Sequence, residues 1–203
     1  MPTDPMSTDA VETTRKRLSR AAEDLDTNLI AGLVSDSADR FGVVPYWERV
    51  CVPLLAESPG REPTEIAVEH ALSEGMRVGL DVHRRHPRRP YPPDGVLLAG
   101  AEQELHCLGL HALAAARREL RRGSLLLGPA LPWAGLTGAV YRARPHSVVV
   151  WAQTPVTGRT YRLIRFARDF PSVRVLAAGP GWIEPLPSSI IRLVGLAEAV
   201  RVC

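Results

Sequence analysis

Residues 96–113 read VLLAGAEQELHCLGLHAL and place three kinds of sequence one after another. Val96–Ala99 is a short apolar run, which is typical of a strand that is buried on both faces of a parallel sheet. A polar loop follows, and Cys107–Arg122 has the length and composition of a helix. A strand, a loop and a helix in this order predict the first unit of an α/β domain.

The pattern repeats towards the end of the sequence, where short apolar runs alternate with segments long enough for helices. The predicted strands are Ser124–Leu127, Ser147–Trp151, Val173–Ala177 and Ile190–Val194. The predicted helices are Ala134–Arg144, Arg159–Asp169 and Gly195–Val202. Residues 95–203 are therefore expected to form a flavodoxin-like α/β domain with a doubly wound, parallel, five-stranded sheet. Ligands of such sheets bind beyond the carboxyl ends of the strands, so we expect the functional residues in the loops there.

The sequence before residue 83 lacks strand-like alternation and repeats its apolar residues at intervals of three and four. The predicted helices are Thr13–Asp24, Thr27–Phe41, Pro45–Glu57 and Pro63–His83, with Asp26 and Ser58 near caps. These helices predict an all-α four-helix cap bundle, divided into residues 1–24, a tail with the first helix, and residues 25–82. Residues 83–94, HRRHPRRPYPPD, are rich in proline and arginine and predict a linker.

Composition and charge exclude several classes of protein. The net charge of +3 arises from scattered arginine pairs and only 5% of the residues are aromatic, which argues against a nucleic-acid surface. The sequence has neither a transmembrane stretch nor a secretion signal, so we expect a cytoplasmic protein without membrane contact. Cys51, Cys107 and Cys203 are far apart and predict free thiols. Phosphate-binding, dinucleotide, hydrolase and metalloprotease motifs are absent, so no independent turnover is expected.

The loop after the first predicted strand contains the motif E-x-H-x-x-G, formed by Glu104, His106 and Gly109. A neutral imidazole binds a metal well when its second ring nitrogen donates to a carboxylate, and an acid two residues earlier can accept that hydrogen bond. Gly109 would let a bulky group approach the start of the helix. Because loop histidines are more often hydrogen-bonding surface residues, the spacing alone leaves both interpretations open.

With this motif the chain resembles the cobalamin-binding domains with a helical cap that occur in corrinoid methyl carriers, methionine synthase and MerR-type photoreceptor regulators. The resemblance covers about residues 25–203. It implies that His106 replaces the dimethylbenzimidazole of cobalamin as the lower axial cobalt ligand, with Glu104 as its partner. The stretch from Gly179 to Val200 also resembles the C-terminal sensor part of MerR-type regulators.

The same resemblance implies further cofactor-binding positions beside the buried nucleotide tail of cobalamin. After Gly109, 41 residues lead to Trp151-Ala152-Gln153, which stands where the family has S-x-L. Trp151 could stack on the tail or fill its place, and Thr154 or Thr157 could supply a replacement hydroxyl. The family's Gly-Gly pair corresponds to Ala178-Gly179-Pro180-Gly181, where the backbone is expected to approach the tail. The implied contacts are Trp151, Gln153, Thr154, Gly179 and Gly181.

In light-responsive members of this family, a tryptophan and, ten positions later, a Glu-His pair cover the upper face of adenosylcobalamin. Glu69-His70 matches the pair, but Pro59 stands where the tryptophan belongs, so the sequence lacks part of a light switch that depends on a tightly packed adenosyl group and leaves light sensitivity open. The alternative for His70 is an ordinary helical histidine paired with Glu74. The first 25 residues do not contain a winged helix-turn-helix, so we expect no autonomous DNA binding.

Three hypotheses about function follow from these features. The first is a cobalamin-binding regulatory or sensor module that changes its contacts with a protein partner or forms a homo-oligomer. The second is a corrinoid methyl carrier that serves a separate methyltransferase. The third is a cofactor-free, partner-binding domain that keeps the fold and in which Trp151 fills the tail site.

Overall fold

Two units with different architectures follow one another along the chain. The computed structural model describes residues 6–57, 62–85 and 91–203. The units are Met1–Pro87 and Arg88–Cys203, so their boundary falls within the expected linker, residues 83–94. Ser58 and residues 86–90 of that linker lie outside the described residues.

The first unit is helical, as the periodicity predicts. Its elements are α1 (Thr8–Glu23), α2 (Thr27–Phe41), α3 (Val43–Tyr46), a π-helical turn (Trp47–Cys51), α4 (Val52–Glu57) and α5 (Pro63–Val82). Helix α1 begins five residues before the predicted start because the side chain of Ser7 caps it by accepting the N–H of Ala10 at 3.2 Å. Asp26 caps α2 through the N–H of Leu29 at 2.9 Å, and Pro63 occupies the first turn of α5.

Helices α2 and α5 approach each other closely at two glycines of α5. A Cβ on Gly75 would lie 2.5 Å from the Cβ of Ile30, and a Cβ on Gly79 would lie 2.6 Å from both the Ala31 carbonyl oxygen and the Cβ of Val34. Because Gly75 and Gly79 have no side chains, α5 packs directly against the backbone and the β-branched residues of α2 at these positions. Ile30 and Val34 are fully buried as a result.

The second unit is the predicted flavodoxin-like α/β fold, which the structure confirms. Its strands are β1 (Pro93–Gly100), β2 (Gly123–Leu126), β3 (Ser147–Trp151), β4 (Arg174–Ala178) and β5 (Ile190–Arg192). Its helices are α6 (Leu108–Glu119), α7 (Trp133–Ala143), α8 (Thr160–Asp169) and α9 (Leu196–Val202). All strands are parallel and lie in the order β2-β1-β3-β4-β5. Strand β5 ends before the predicted Val194, because the N–H of Val194 donates to the side chain of Glu198 at the start of α9.

Both faces of the sheet are buried, which explains the uninterrupted apolar runs. One face packs with α7 and α8 in a core that includes Leu97, Val148, Leu163 and Phe166. Residues of the opposite parity, such as Leu98, point to the other face, where α6 and α9 pack against each other.

Two expectations about the chain can be compared with the described residues. Cys51, Cys107 and Cys203 are buried and form no disulfide, as expected from their sequence positions. Within residues 6–57, 62–85 and 91–203, every helix is too short or too polar to cross a lipid bilayer.

The close approach of α5 to α2 predicts the effect of a single methyl group. Gly79→Ala is expected to lower the free energy of unfolding by about 1–3 kcal/mol, because the added Cβ overlaps the Ala31 carbonyl oxygen. Gly32→Ala on α2 is the matched control, since its Cβ would have no neighbour within 4 Å, and it should be neutral or stabilising by up to about 1 kcal/mol. Urea unfolding followed by circular dichroism measures both. Equal effects of the two substitutions would contradict this packing.

Candidate functional site

The candidate site lies at the edge of the sheet where the connections that follow two neighbouring strands run to opposite faces. Strands β1 and β3 are paired, but β1 leads to α6 on one face and β3 leads to α8 on the other. Ligands of doubly wound sheets bind at this switch point, at the carboxyl edge. The loop after β1 carries Glu104 and His106, and the loop after β3 carries Gln153 and Thr154. Tertiary structure therefore brings two separate parts of the predicted site to one edge.

The carboxylate of Glu104 joins the loops at this edge. Its side chain is only 1% exposed. Oε1 accepts the backbone N–H of His106 at 2.8 Å, and Oε2 accepts the backbone N–H of Gln153 at 2.7 Å and the hydroxyl of Thr157. The main-chain carbonyl of Glu104 accepts the N–H of Ala130, in the loop after β2, at 2.8 Å. One residue thus connects the loops that follow β1, β2 and β3.

These hydrogen bonds keep the buried carboxyl group of Glu104 ionised. Burial alone raises the pKa of Glu104, but hydrogen bonds from the Thr157 hydroxyl, from the N–H groups of His106 and Gln153 and from the His106 ring outweigh it. The net effect is a pKa below the ordinary value for glutamate. At neutral pH the site therefore contains a fixed negative charge.

The imidazole of His106 joins this network only through Nδ1, and its side chain is 70% exposed. Its Nδ1 lies 3.2 Å from Oε1 of Glu104, as the motif predicts. Because an ionised carboxylate can only accept, a neutral imidazole would carry its hydrogen on Nδ1 and its lone pair on Nε2. A carboxylate on Nδ1 is the arrangement that orients a metal-binding imidazole and increases its basicity. Nε2 is therefore the nitrogen that can bind a metal.

The indole of Trp151 fills the inner part of the crevice. A Cβ on Gly109 would lie 2.5 Å from Cη2 and Cζ3 of Trp151, and a Cβ on Gly179 would lie 3.1 Å from its Cδ2. The ring is therefore packed between the first turn of α6 and the loop after β4. Its Nε1–H is buried and has no hydrogen-bond partner among the residues that the structure describes. Whether the ring would stack on a nucleotide tail or take its place stays a prediction.

The glycines that follow β4 approach protein backbone. Gly179 has a φ of +92°, and a Cβ there would lie 2.3 Å from the carbonyl oxygen of Ala152. A Cβ on Gly181 would lie 2.3 Å from the carbonyl oxygen of Thr154, and a Cβ on Gly158 would lie 2.1 Å from that of Gly181. These glycines therefore allow close contacts between the loops after β3 and β4. The approach of Gly179 and Gly181 to a ligand stays a prediction.

Thr157 has a larger part in the site than the sequence indicated. Its hydroxyl donates to the Glu104 carboxylate, whereas the hydroxyl of Thr154 lies 3.2 Å from that of Thr157. The backbone N–H of Gln153 donates a hydrogen bond to the Glu104 carboxylate, and Gln153 is exposed to solvent. The sequence indicated only that the resembled family has a serine hydroxyl at the position of Trp151, which a nearby threonine could replace. It could not select between the two threonines, because the loop conformation decides which hydroxyl reaches Glu104.

Glu69 and His70 belong to the other unit, on α5. His70 is exposed, and its carbonyl accepts the hydroxyl of Ser73 at 3.2 Å. The Glu74 carboxylate, the alternative partner considered for His70, accepts two hydrogen bonds from Arg77 at 2.7 and 2.8 Å. The cofactor-covering function implied for Glu69 and His70 stays a prediction.

Comparisons with known proteins were made at the level of sequence and of structure. No protein-family model matches the sequence, and no curated protein matches it significantly. The monomethylamine corrinoid protein of Methanosarcina barkeri is similar in structure, with a TM-score of 0.64 at 15% sequence identity, over 94% of this chain and 97% of that chain. At this identity, the likeness shows a shared fold.

Two further solved structures are similar at lower scores. The methanol:cobalamin methyltransferase complex MtaBC from Methanosarcina barkeri has a TM-score of 0.47 at 13% identity, over 94% of this chain and 78% of that chain. A cobalamin-binding protein from Desulfitobacterium hafniense has a TM-score of 0.45 at 14% identity, over 92% of this chain and 95% of that chain. TM-scores below 0.5 do not establish a common fold.

The network around Glu104 predicts that its charge stabilises the fold. Glu104→Gln is expected to lower the free energy of unfolding by about 1–3 kcal/mol, because an amide N–H would face N–H donors that now bind a carboxylate. Glu102→Gln, at a half-buried position in the same loop, is the control and should change it by less than about 0.5 kcal/mol.

The same pair of variants has an expected pH dependence. The pKa of Glu104 is lowered in the folded protein, so its stabilisation is present above the ordinary glutamate pKa of about 4.3 and is lost as the pH falls towards the lowered value. The difference between wild type and Glu104→Gln should therefore shrink below about pH 4.3. A difference that stays constant down to pH 3 would contradict an ionised Glu104.

The contact between Gly109 and Trp151 predicts a strong coupling between two substitutions. Gly109→Ala alone should lower the free energy of unfolding by about 1–3 kcal/mol, since the Cβ overlaps the indole. In a Trp151→Ser background the same change should cost little, because the ring is gone and alanine favours helices. A double-mutant cycle in urea measures the coupling energy. Gly138→Ala, where a Cβ has no neighbour within 4 Å, is the uncoupled control.

Proposed function

We propose that this chain is a non-catalytic corrinoid-binding module in which His106 is the only protein ligand to the metal. The observation that carries this proposal is the Glu104–His106 pair. The ionised carboxylate of Glu104 is buried and fixed by hydrogen bonds from two loops, and it holds the imidazole of His106 through Nδ1. An exposed, oriented Nε2 then stands at the edge of the sheet where ligands of this fold bind.

The chemistry of this donor set favours a metal that brings its other ligands with it. Within the described part of the chain, there is no group of three or more His, Cys, Asp and Glu side chains that could hold a metal ion. A free divalent metal held by a single imidazole would be weakly bound, since protein metal sites usually supply three or four ligands. A bound corrin would supply four equatorial nitrogens and require one axial ligand from the protein. His106 fits that requirement.

Two loops of the candidate site each expose one large apolar side chain. Leu105 precedes the histidine, and Val156 belongs to the loop that binds Glu104 through Thr157. Both side chains are 71% exposed. Large apolar side chains on two loops that meet at a candidate ligand favour a binding surface. A corrin would bury part of this area when it contacts His106.

The similar solved structures support this class of ligand through what those proteins are. The Methanosarcina barkeri protein that shares this fold is a corrinoid protein. Its name also supports a second role for this chain, that of a corrinoid methyl carrier serving another protein. In either role we expect no independent turnover, because the candidate site contains an axial ligand and its support without an activated nucleophile.

Between these roles we propose regulation, with cobalamin or a related corrinoid as the signal. Ligand binding can change contacts with a protein partner, or between copies of the chain, whenever two arrangements differ in affinity for the ligand. The resemblance to MerR-type sensor domains supports this role, as does the departure of Glu104 and Trp151 from the aspartate and serine favoured in methyl carriers.

A binding experiment with matched variants tests the ligand. The purified protein is incubated in the dark with aquocobalamin or aquocobinamide, separated from free corrinoid and examined by absorption spectroscopy. We expect retained corrinoid with an imidazole-ligated spectrum in the wild type and loss of retention in His106→Ala. His146→Gln, at the amino end of β3, should retain the corrinoid.

Two outcomes of this experiment are decisive. Restoration of the spectrum of His106→Ala by free imidazole would support ligation by His106. Retention of neither corrinoid by the folded wild type would contradict the proposal and favour the cofactor-free, partner-binding alternative, which the packed indole of Trp151 supports.

A further inference from the structure

We propose that Trp151 makes this site selective for corrinoids that lack a nucleotide tail, of which cobinamide is the simplest. This inference rests on the proposed function, because it assumes that His106 binds the corrin metal. It concerns the part of the ligand that would lie inside the crevice. The observations that carry it are the position of the indole and the connections between the loops around it.

The indole lies between α6 and the loop after β4 and is close to both. Ring atoms of Trp151 would lie 2.5 Å from a Cβ on Gly109 and 3.1 Å from a Cβ on Gly179. These two glycines are therefore the walls of a recess, and the ring fills it. The residue at Trp151 is half-buried, and its Nε1–H is buried without a partner in the described residues, so the ring is held there by packing and not by a hydrogen bond.

The loops around the ring are connected closely to one another. Glu104 binds the backbone of Gln153 and the hydroxyl of Thr157, and Arg159 donates to the side chain of Gln103, so several hydrogen bonds join the loops after β1 and β3. The loops after β3 and β4 meet at Gly158 and Gly181, where a Cβ would overlap a carbonyl. A chain-like substituent could enter the recess only if the indole left it and these loops separated.

This packing predicts selectivity because of where the nucleotide tail of cobalamin is attached. Its nucleotide tail is attached on the lower face of the corrin, and a protein imidazole that replaces the benzimidazole approaches this same face. The displaced tail must then lie against the protein, below the corrin. With the recess filled, the tail has no site to bind, and its benzimidazole competes with His106 as an intramolecular ligand of high effective concentration. Cobinamide has neither problem, because it carries no nucleotide.

The exclusion of the tail is distinct from the competition by its base, and one ligand separates the two effects. A cobalamin methylated on the coordinating benzimidazole nitrogen has the full tail but cannot coordinate its own cobalt. If Trp151 excludes the tail, this ligand should also bind the wild type more weakly than cobinamide does. This comparison uses the unaltered protein, so it does not depend on a variant that folds.

The test measures dissociation constants of cobinamide, cobalamin and the methylated cobalamin by spectroscopic titration. We expect the wild type to bind cobinamide about tenfold or more tightly than either tailed corrinoid. Trp151→Ser opens the recess and should reduce this preference about tenfold. Trp151→Phe is the matched control, because it keeps an aromatic ring in the recess without the N–H, and it should keep the preference.

Several results would overturn the inference. Wild type that binds the methylated cobalamin as tightly as cobinamide would show that the tail is accepted. An unchanged preference in folded Trp151→Ser would show that the indole is not the cause. In both cases the proposed function survives, since a corrinoid is still bound through His106. Binding of no corrinoid by the wild type would overturn the proposed function together with this inference, which distinguishes the two failures.

Discussion

The interaction on which the site depends is the burial of one ionised carboxylate between three loops. Glu104 accepts hydrogen bonds from its own loop and from the loop after β3, and its carbonyl binds the loop after β2. A buried charge is tolerated only when it is hydrogen-bonded, and the donors to the carboxylate supply this stabilisation. The same carboxylate orients the imidazole of His106. Stability of the sheet edge and the orientation of the proposed metal ligand are therefore coupled through one side chain.

The parallel sheet explains why this carboxylate can connect so many segments. Strands β1 and β3 are neighbours in space, although β2 and two helices separate them along the chain. Loops after adjacent parallel strands emerge at one edge, so residues far apart in sequence come within hydrogen-bond distance there. Glycines at Gly158 and Gly181 let the loops approach each other. The loops therefore pack against one another at this edge of the sheet, where the imidazole of His106 is exposed.

A deep cofactor site combines a metal ligand with a pocket below it. The position of Trp151 affects the pocket and not the ligand. The Glu104–His106 pair that we propose for metal binding is within hydrogen-bond distance, whereas the space between Gly109 and Gly179 contains the ring of Trp151. A large aromatic ring in that position contributes packing to the apo fold and removes volume from any ligand. The expected ligand is therefore one that lies on the edge of the sheet.

The sequence by itself determined the two architectures and the pair at the centre of the site. Apolar runs of strand length and periodic apolar residues are local signals, so they predicted β3 within its observed bounds and the cap of α2 at Asp26. The two-residue spacing of Glu104 and His106 is equally local. Only the tertiary structure decided that Thr157 and not Thr154 binds Glu104, and that the indole of Trp151 lies in the recess. Both depend on how loops from different strands pack together, and no local pattern in the chain specifies that packing.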